Sequence, residues 1–266
     1  MWASPSDERV VIMQQRQLPS PPWRARLATF LFALEMTYKD RGLIESGRFF
    51  LLRLAASPIK LILSHPLLRP KSFSFQGSNY DYFYHSYNCS WSNERAVEIP
   101  IVHRLIGKCQ ECSILEVGNV LSHYWPCNHE IVDKYEVESG VINKDIVDFF
   151  PDRQYDLIVS ISTLEHVGWD EIPREPGKPW RAIAHLVELL AVGGTLIVTM
   201  PLGLNPEVDR RVSENNLPFD RQYYLKRIAA NNRWEEVGSA PVQGQGYSIA
   251  FGTATAVVIG IIKKRP

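Results

Sequence analysis

The sequence predicts an α/β protein built on a mostly parallel sheet, and three observations carry this prediction. Short apolar runs at residues 114–117 and 155–161 have the length and composition of buried parallel strands. Residues 180–191 show the spacing of an amphipathic helix, which Gly193 and Gly194 should end. Strand and helix signals alternate from residue 107 onward, and this alternation is typical of a parallel sheet.

The chain divides into three predicted parts. Residues 1–22 are polar and rich in proline, so we expect a flexible arm. Residues 23–106 should form a helical and aromatic extension that could act as a lid, with helices over 23–41 and 93–106 and a structured loop over 73–95. Residues 107–266 form the α/β domain, with further strands at 130–133, 141–145, 195–200, 234–237 and 255–262 and a helix at 220–230.

Composition and charge exclude some classes of function. The 266 residues carry no formal net charge, which argues against a nucleic-acid binder. Residues 1–72 hold 11 Lys and Arg against 5 Asp and Glu. The apolar segment 43–69 has no acidic residue after Glu45, so it could lie on an anionic membrane or form helices packed on the domain. Its longest apolar run is shorter than the ~20 residues of a membrane span.

The beginning of the chain has no pattern typical of a signal peptide, which predicts a cytoplasmic protein with reduced thiols. Cys109 and Cys112 have CxxC spacing, and His123, Cys127 and His129 follow. The second group lacks the paired spacing of zinc modules, so we predict no metal and assign the thiols to packing beside a core strand.

The stretch 113–120 is the predicted centre of the site. Ligands of open α/β sheets lie beyond the carboxyl ends of the strands, where this stretch turns. Gly118 lets the backbone turn sharply and approach a ligand, and the carboxylate of Glu116 should lie close beneath that turn.

The order of these segments resembles the class I S-adenosylmethionine-dependent methyltransferases over about residues 110–264. Residues 114–118 (Ile-Leu-Glu-Val-Gly) look like the first motif of that family. Residues 155–167 look like its fourth strand and the Glu-His that often follows, and residues 189–198 look like its helix, Gly-Gly and strand. The combination is also similar to little-characterised bacterial methyltransferase-like proteins, some of them associated with surface-glycan synthesis. The resemblance implies a Rossmann-like class I methyltransferase sheet, mostly parallel with a C-terminal antiparallel strand.

The resemblance also implies S-adenosylmethionine as cofactor and a set of residues that bind it. Asp133 ends the second strand, where the family places an acid that accepts both ribose hydroxyls, and Asp145 matches the position that recognises adenine. Either aspartate could instead be an ordinary turn or cap residue. The complete implied set is Glu116, Gly118, Asn119, Asp133, Asp145, Ile146, Ser160 and Ser162.

For the transfer, His166 is the predicted general base, and Asp170 or Glu165 could orient it or act instead. His166 could equally pack or cap at a helix start. The acceptor is expected to be a small molecule or a saccharide, methylated at oxygen. Its predicted contacts are Tyr84, His85, Tyr87, Asn88, His123 and Tyr124, which could alternatively cover the core.

Two departures from the family pattern leave other functions open. The first turn has a single glycine, followed by Asn119 and Val120, and only eleven residues separate Asp133 from Asp145, too few for a crossover helix. A non-catalytic protein that has lost normal cofactor binding is therefore the main alternative. A nicotinamide-dependent reductase is disfavoured because the sequence has no GxGxxG.

Overall fold

In the computed structural model, the described residues are 65–109, 111–248 and 253–266, together with residues 44, 47, 48, 50–52 and 62. The predicted arm 1–22, the predicted helix 23–41 and most of the apolar segment 43–69 lie outside them.

The described part begins with a hairpin and a helix and continues into the α/β domain. The hairpin pairs β1 (Ser72–Phe75) with β2 (Ser78–Asp81), and helix α1 (Arg95–Gly107) follows. The remaining elements are, in chain order, β3 (Ile114–Val117), β4 (Glu130–Asp133), β5 (Val141–Asn143), β6 (Tyr155–Ile161), α2 (Lys178–Leu189), β7 (Leu190–Pro201), α3 (Pro206–Ser213), β8 (Arg221–Ala229), β9 (Arg233–Val237), β10 (Tyr247–Ser248), β11 (Thr253–Ala254) and β12 (Ala256–Lys263).

Eight strands form one sheet in the order β5-β4-β3-β6-β7-β12-β8-β9. Strands β5, β4, β3, β6 and β7 are parallel, whereas β12 is antiparallel to both of its neighbours, β7 and β8. The chain runs outward from β3 to β5 and then returns to the other side of β3 with β6. The carboxyl ends of β3 and β6 therefore flank the switch point at which α/β sheets bind their ligands.

Both faces of the sheet are covered, as the apolar strands predict. One core contains Leu186 of α2 and Val208 of α3 against Ile158 and Val198. The opposite core contains Val97 of α1 and the hairpin side chains Phe73 and Phe75, together with Leu157, Val159 and Ile161. Helix α1 and the hairpin thus belong to the packed domain.

Several predictions of secondary structure were wrong or incomplete. Gly193 and Gly194 do not end the helix predicted at 180–191, because α2 ends at Leu189 and both glycines lie inside β7. Residues 220–230 form the strand β8, because pairing with β12 and β9 on its two sides overrides the weak helical spacing. The predicted loop 73–95 contains the β1–β2 hairpin. Helix α3 lies between β7 and β8, where no element was predicted, although its start has a recognisable signal: Asn205 caps Glu207 N at 3.0 Å and Pro206 takes the first helical position.

The absence of a helix between β4 and β5 is confirmed, since the described residues 134–140 contain none. The prediction of four reduced thiols is wrong for two of them, because Cys109 and Cys112 form a disulfide. The bond also withdraws both sulfurs from any metal site. No helix among the described residues is long and apolar enough to cross a membrane.

Candidate active site

The turn after β3 lies against the segment after β6. Gly118 has φ of +87°, and its N–H donates to Val132 O at 2.8 Å. A Cβ atom at this position would lie 2.1 Å from Oγ1 of Thr163. Position 118 therefore requires glycine for two reasons, a left-handed conformation and a close approach.

The buried carboxylate of Glu116 orders this turn, as the sequence predicts. Its Oε1 accepts from Val120 N at 2.9 Å and Leu121 N at 2.8 Å. Its Oε2 lies 2.7 Å from Nε2 of His129. Together with Cys127, Glu116 and His129 bring three potential metal ligands within 4.8 Å of one another, but both carboxylate oxygens are already engaged.

Asp133, at the end of β4, joins two turns. Its Oδ2 accepts from Asn119 N at 2.9 Å, and its Oδ1 accepts from the N–H groups of Tyr135 and Glu136, both at 2.8 Å. An acceptor position therefore remains on Oδ2, which carries one of these three hydrogen bonds.

Asp145, the predicted adenine contact, pairs with lysines. Its Oδ2 lies 2.6 Å from Nζ of Lys178 and 2.8 Å from Nζ of Lys134, and both ammonium groups also contact Glu171. Burial opposes ionisation of Asp145, but the two lysines outweigh it and lower its pKa. Ile146, which follows, is buried.

Ser160 lies within β6 and Ser162 follows the strand, and only Ser162 meets a buried ion pair. Ser160 Oγ donates to Val117 O at 3.1 Å, so it joins β6 to β3. Ser162 Oγ donates to Glu98 Oε1 at 2.7 Å, and Glu98 pairs with Arg95 at 3.5 Å. Arg95 also donates to Ile161 O at 2.8 Å, and burial raises the pKa of Glu98.

The three predicted catalytic residues lie together on this edge. His166 Nδ1 is 2.7 Å from Asp170 Oδ2, and its Nε2 is 3.6 Å from Glu165 Oε1. Burial opposes the charged imidazole, but the two carboxylates outweigh it and raise the pKa of His166 to about 9. Burial also raises the pKa of the Glu165 carboxyl to about 7. At neutral pH His166 is therefore protonated, and this state disfavours it as a base.

Aromatic rings cluster around the short turn Leu121–His123 that follows β3. The ring of Tyr87 stacks on His123 with centroids 4.2 Å apart, and Tyr124 makes edge contacts with Tyr87 and His85. The structure thus brings together four of the six predicted acceptor contacts, and the other two have partners of their own. The Tyr84 hydroxyl donates to Pro70 O at 2.5 Å, and Asn88 O accepts from the side chain of Asn93.

Three buried side chains on this edge leave polar atoms without a hydrogen-bond partner in the part of the chain that the structure describes. They are the amide nitrogen of Asn119, the hydroxyl of Tyr124 and both carboxyl oxygens of Glu165. Burying a polar group without a partner costs about 1 to 3 kcal/mol. A ligand that offers hydrogen-bond donors and acceptors fits these groups.

Sequence reasoning missed Arg95, Glu98 and Lys178 as residues of the site. A signal for Glu98 existed, because it lies three and four residues before Ile101 and Val102 and so falls on the apolar face of its helix. A charged residue in an apolar stripe indicates a buried partner. Lys178 had no comparable signal, since Asp145, one of its two partners, lies 33 positions away in the chain.

Comparisons with known proteins add the following. No protein-family model matches the chain, and no curated protein sequence matches it. Among solved structures, it is similar to the N-methyltransferase NodS from Bradyrhizobium japonicum in complex with S-adenosyl-L-homocysteine, at 15% identity and a TM-score of 0.39, covering 65% of this chain and 88% of that one. It is also similar to the sugar N-methyltransferase KedS8 from Streptoalloteichus, at 12% identity and a TM-score of 0.33, covering 64% of this chain and 88% of that one. A third similar structure is magnesium protoporphyrin IX methyltransferase from Synechocystis, at 9% identity and a TM-score of 0.32, covering 62% of this chain and 76% of that one.

The order and direction of the strands in the sheet assign the fold. Five parallel strands are ordered around the β3–β6 switch point, and β12 is inserted in reverse between β7 and β8. This is the arrangement that the sequence resemblance implies, and the chain has a Rossmann-like class I methyltransferase fold.

Proposed function

We propose that this protein is an S-adenosylmethionine-dependent methyltransferase acting on a small-molecule or saccharide acceptor. The observation that supports it best is the set of unpartnered polar atoms of Asn119, Tyr124 and Glu165, buried at the carboxyl edge of the sheet. Ligands of this fold lie at that edge. A protein that used the fold only as a scaffold would gain stability by pairing or removing these groups.

The cofactor would be held along the line from β3 to β5. Asn119 would meet its methionine part, and the remaining acceptor position of Asp133 would take a ribose hydroxyl. Because two lysines hold Asp145, we assign adenine to the backbone after Asp145, at Ile146, rather than to the carboxylate. When bound, the cofactor supplies a methyl group activated on a sulfonium.

The protein's own groups would orient the acceptor. The Glu165 carboxyl and the Tyr124 hydroxyl can hydrogen-bond to it or to the amino-acid part of the cofactor. The protonated imidazole of His166, held by Asp170, balances the charge of Glu165 as that group ionises. Methylation at oxygen stays a prediction from the sequence.

Calorimetry tests the proposal directly. S-adenosylmethionine and S-adenosylhomocysteine should both bind, and Asp133→Asn should weaken binding about tenfold, as expected for one charge-assisted hydrogen bond. Asp152→Asn is the matched control, since this exposed residue precedes β6 and so lies at the opposite edge of the sheet. No heat and no thermal shift at millimolar cofactor would exclude the enzyme and favour the non-catalytic alternative.

Turnover is tested with a panel of saccharides and small hydroxyl-bearing or amine-bearing molecules, by measuring release of S-adenosylhomocysteine. We expect release that depends on one acceptor class. Cofactor binding without release for any acceptor would favour a binding or regulatory protein.

A further inference from the structure

A further histidine–carboxylate pair, besides those of His166 and His129, lies on the site edge, outside the predicted catalytic set. His123 ends the short turn Leu121–His123 after β3, and Glu136 follows β4. Nε2 of His123 lies 3.0 Å from Glu136 Oε1 and 3.3 Å from Oε2. Both residues are partly open to solvent, with side-chain exposures of 15% and 32%.

The imidazole of His123 is fixed in two ways. Tyr87 stacks on it with ring planes 19° apart, which sets the plane of the ring. Glu136 engages one ring nitrogen, which sets the rotation of the ring within that plane. Nδ1 has no hydrogen-bond partner within the described ranges.

This arrangement differs from that at His166 in the property that a base requires. Both nitrogens of His166 face carboxylates, which raise its pKa to about 9, so at neutral pH it already carries the proton. Glu165 is fully buried. If Nε2–H of His123 donates to Glu136, the lone pair of Nδ1 is available to a bound molecule.

Glu136 is itself held by Asp133, which also binds the turn after β3. Its N–H donates to Oδ1 of Asp133, and Oδ2 of the same carboxylate accepts from Asn119 N. Burial raises the pKa of Glu136, as do the charges of Glu138 and Asp133, whereas His123 lowers it. One chain of hydrogen bonds therefore connects the turn after β3 to the imidazole.

We propose that His123 is the general base of the transfer and that Glu136 is its positioning residue; this rests on the proposed function. The acceptor's O–H or N–H gives its proton to Nδ1 of His123, which leaves an imidazolium paired with Glu136. The lone pair of the acceptor atom forms the new bond to the methyl carbon, and the electrons of the broken carbon–sulfur bond stay on the sulfur of the donor.

Imidazole ¹⁵N NMR of the full-length protein tests the pair without cofactor or acceptor. In the unmodified protein at pH 8, His123 should show protonated Nε2 and unprotonated Nδ1, while His166 should show both nitrogens protonated. Glu136→Gln should convert the His123 signal to a mixture of tautomers, and Glu136→Asp should restore part of the original form. Glu235→Gln, exposed on β9 at the far edge of the sheet, is the control and should leave the tautomer unchanged.

A protonated Nδ1 on His123 at pH 8 in the unmodified protein would overturn the assignment, and so would an unchanged tautomer in Glu136→Gln. Calorimetry with S-adenosylhomocysteine on the same samples separates this outcome from failure of the proposed function, since it reports the cofactor site alone. With any acceptor found in the panel, His123→Gln should lower kcat about 100-fold or more and leave cofactor affinity within about twofold. A kcat within about threefold of the unmodified enzyme would also overturn it.

Discussion

At the scale of single residues, the site is governed by how deeply each ionisable group is buried and by what it meets there. Glu165 is only 1% exposed and has no hydrogen-bond partner among the described residues, and burial raises the pKa of its carboxyl to about 7. His166, next in the chain, faces two carboxylates, which raise its pKa and so favour its charged form. Neighbouring residues thus differ in their charge at neutral pH because their surroundings differ.

The Glu165 carboxyl gives a prediction about stability. Its pKa in the folded protein lies above that of an unfolded glutamate, so the folded state loses stability as pH rises from about 4.5 to about 7. Glu165→Gln removes this loss and should raise the free energy of unfolding by about 1 to 3 kcal/mol at pH 8, with a smaller change at pH 5. Urea unfolding at the two pH values measures this. The exposed Glu138→Gln is the control, and equal effects of Glu165→Gln at both pH values would contradict the burial argument.

At the scale of elements, the carboxyl ends of β3 and β4 lead into turns rather than helices. The connection from β3 to β4 contains only the short turn Leu121–His123, which is held by the carboxylate of Glu116. The connection from β4 to β5 has no helix, and Asp133 organises it. Where other α/β proteins connect parallel strands through longer helices, here two acids at strand ends hold the connections by accepting hydrogen bonds from their backbone N–H groups.

The first of these turns gives a prediction that separates two effects of glycine. Gly118 and Gly140 share φ of +87°, but a Cβ would meet Thr163 at 2.1 Å in the first case and nothing within 4 Å in the second. Gly140→Ala should cost about 1 kcal/mol of stability for the backbone conformation alone. Gly118→Ala should cost at least about 2 kcal/mol more, because the turn must move away from Thr163. Denaturant unfolding compares the two, and equal losses would show that the close approach is absent.

At the scale of the whole molecule, charge and apolar exposure are uneven. The excess of basic residues lies in the N-terminal 72 residues, and Ile44, Leu51 and Ile62 are exposed, each by more than 60%. The membrane contact through residues 43–69 and the cytoplasmic location both stay predictions from the sequence.

The membrane prediction is checked by cosedimentation of the full chain with vesicles. Binding should occur on phosphatidylserine-containing vesicles, fall with added salt and be weak on neutral phosphatidylcholine. Leu51→Gln with Ile62→Gln should weaken binding, since both side chains are exposed and apolar. Val192→Gln, as exposed as Leu51 at 65%, is the matched control. Equal binding of all variants, or none by the unmodified chain, would support packing on the domain instead.

The sequence by itself determined the sheet that carries the site. The strands at residues 114–117, 130–133 and 155–161 follow from local apolar patterning, and the bounds agree with those of β3, β4 and β6. Gly118 and the strand-end acids could be located for the same reason, because a turn after a buried strand has a local signature.

Only the tertiary structure decided which strands pair and which charges meet. The helix predicted at 220–230 is β8, because a strand between two partners gains hydrogen bonds that no local pattern reports. Asp145 meets Lys178 across 33 positions of the chain, and Glu98 meets Ser162 across 64. His123 precedes β4 and meets Glu136, which follows that strand 13 positions later. Ion pairs depend on distance in space rather than along the chain, so the charge state of the turn after β3 and its surroundings could not be obtained from the sequence alone.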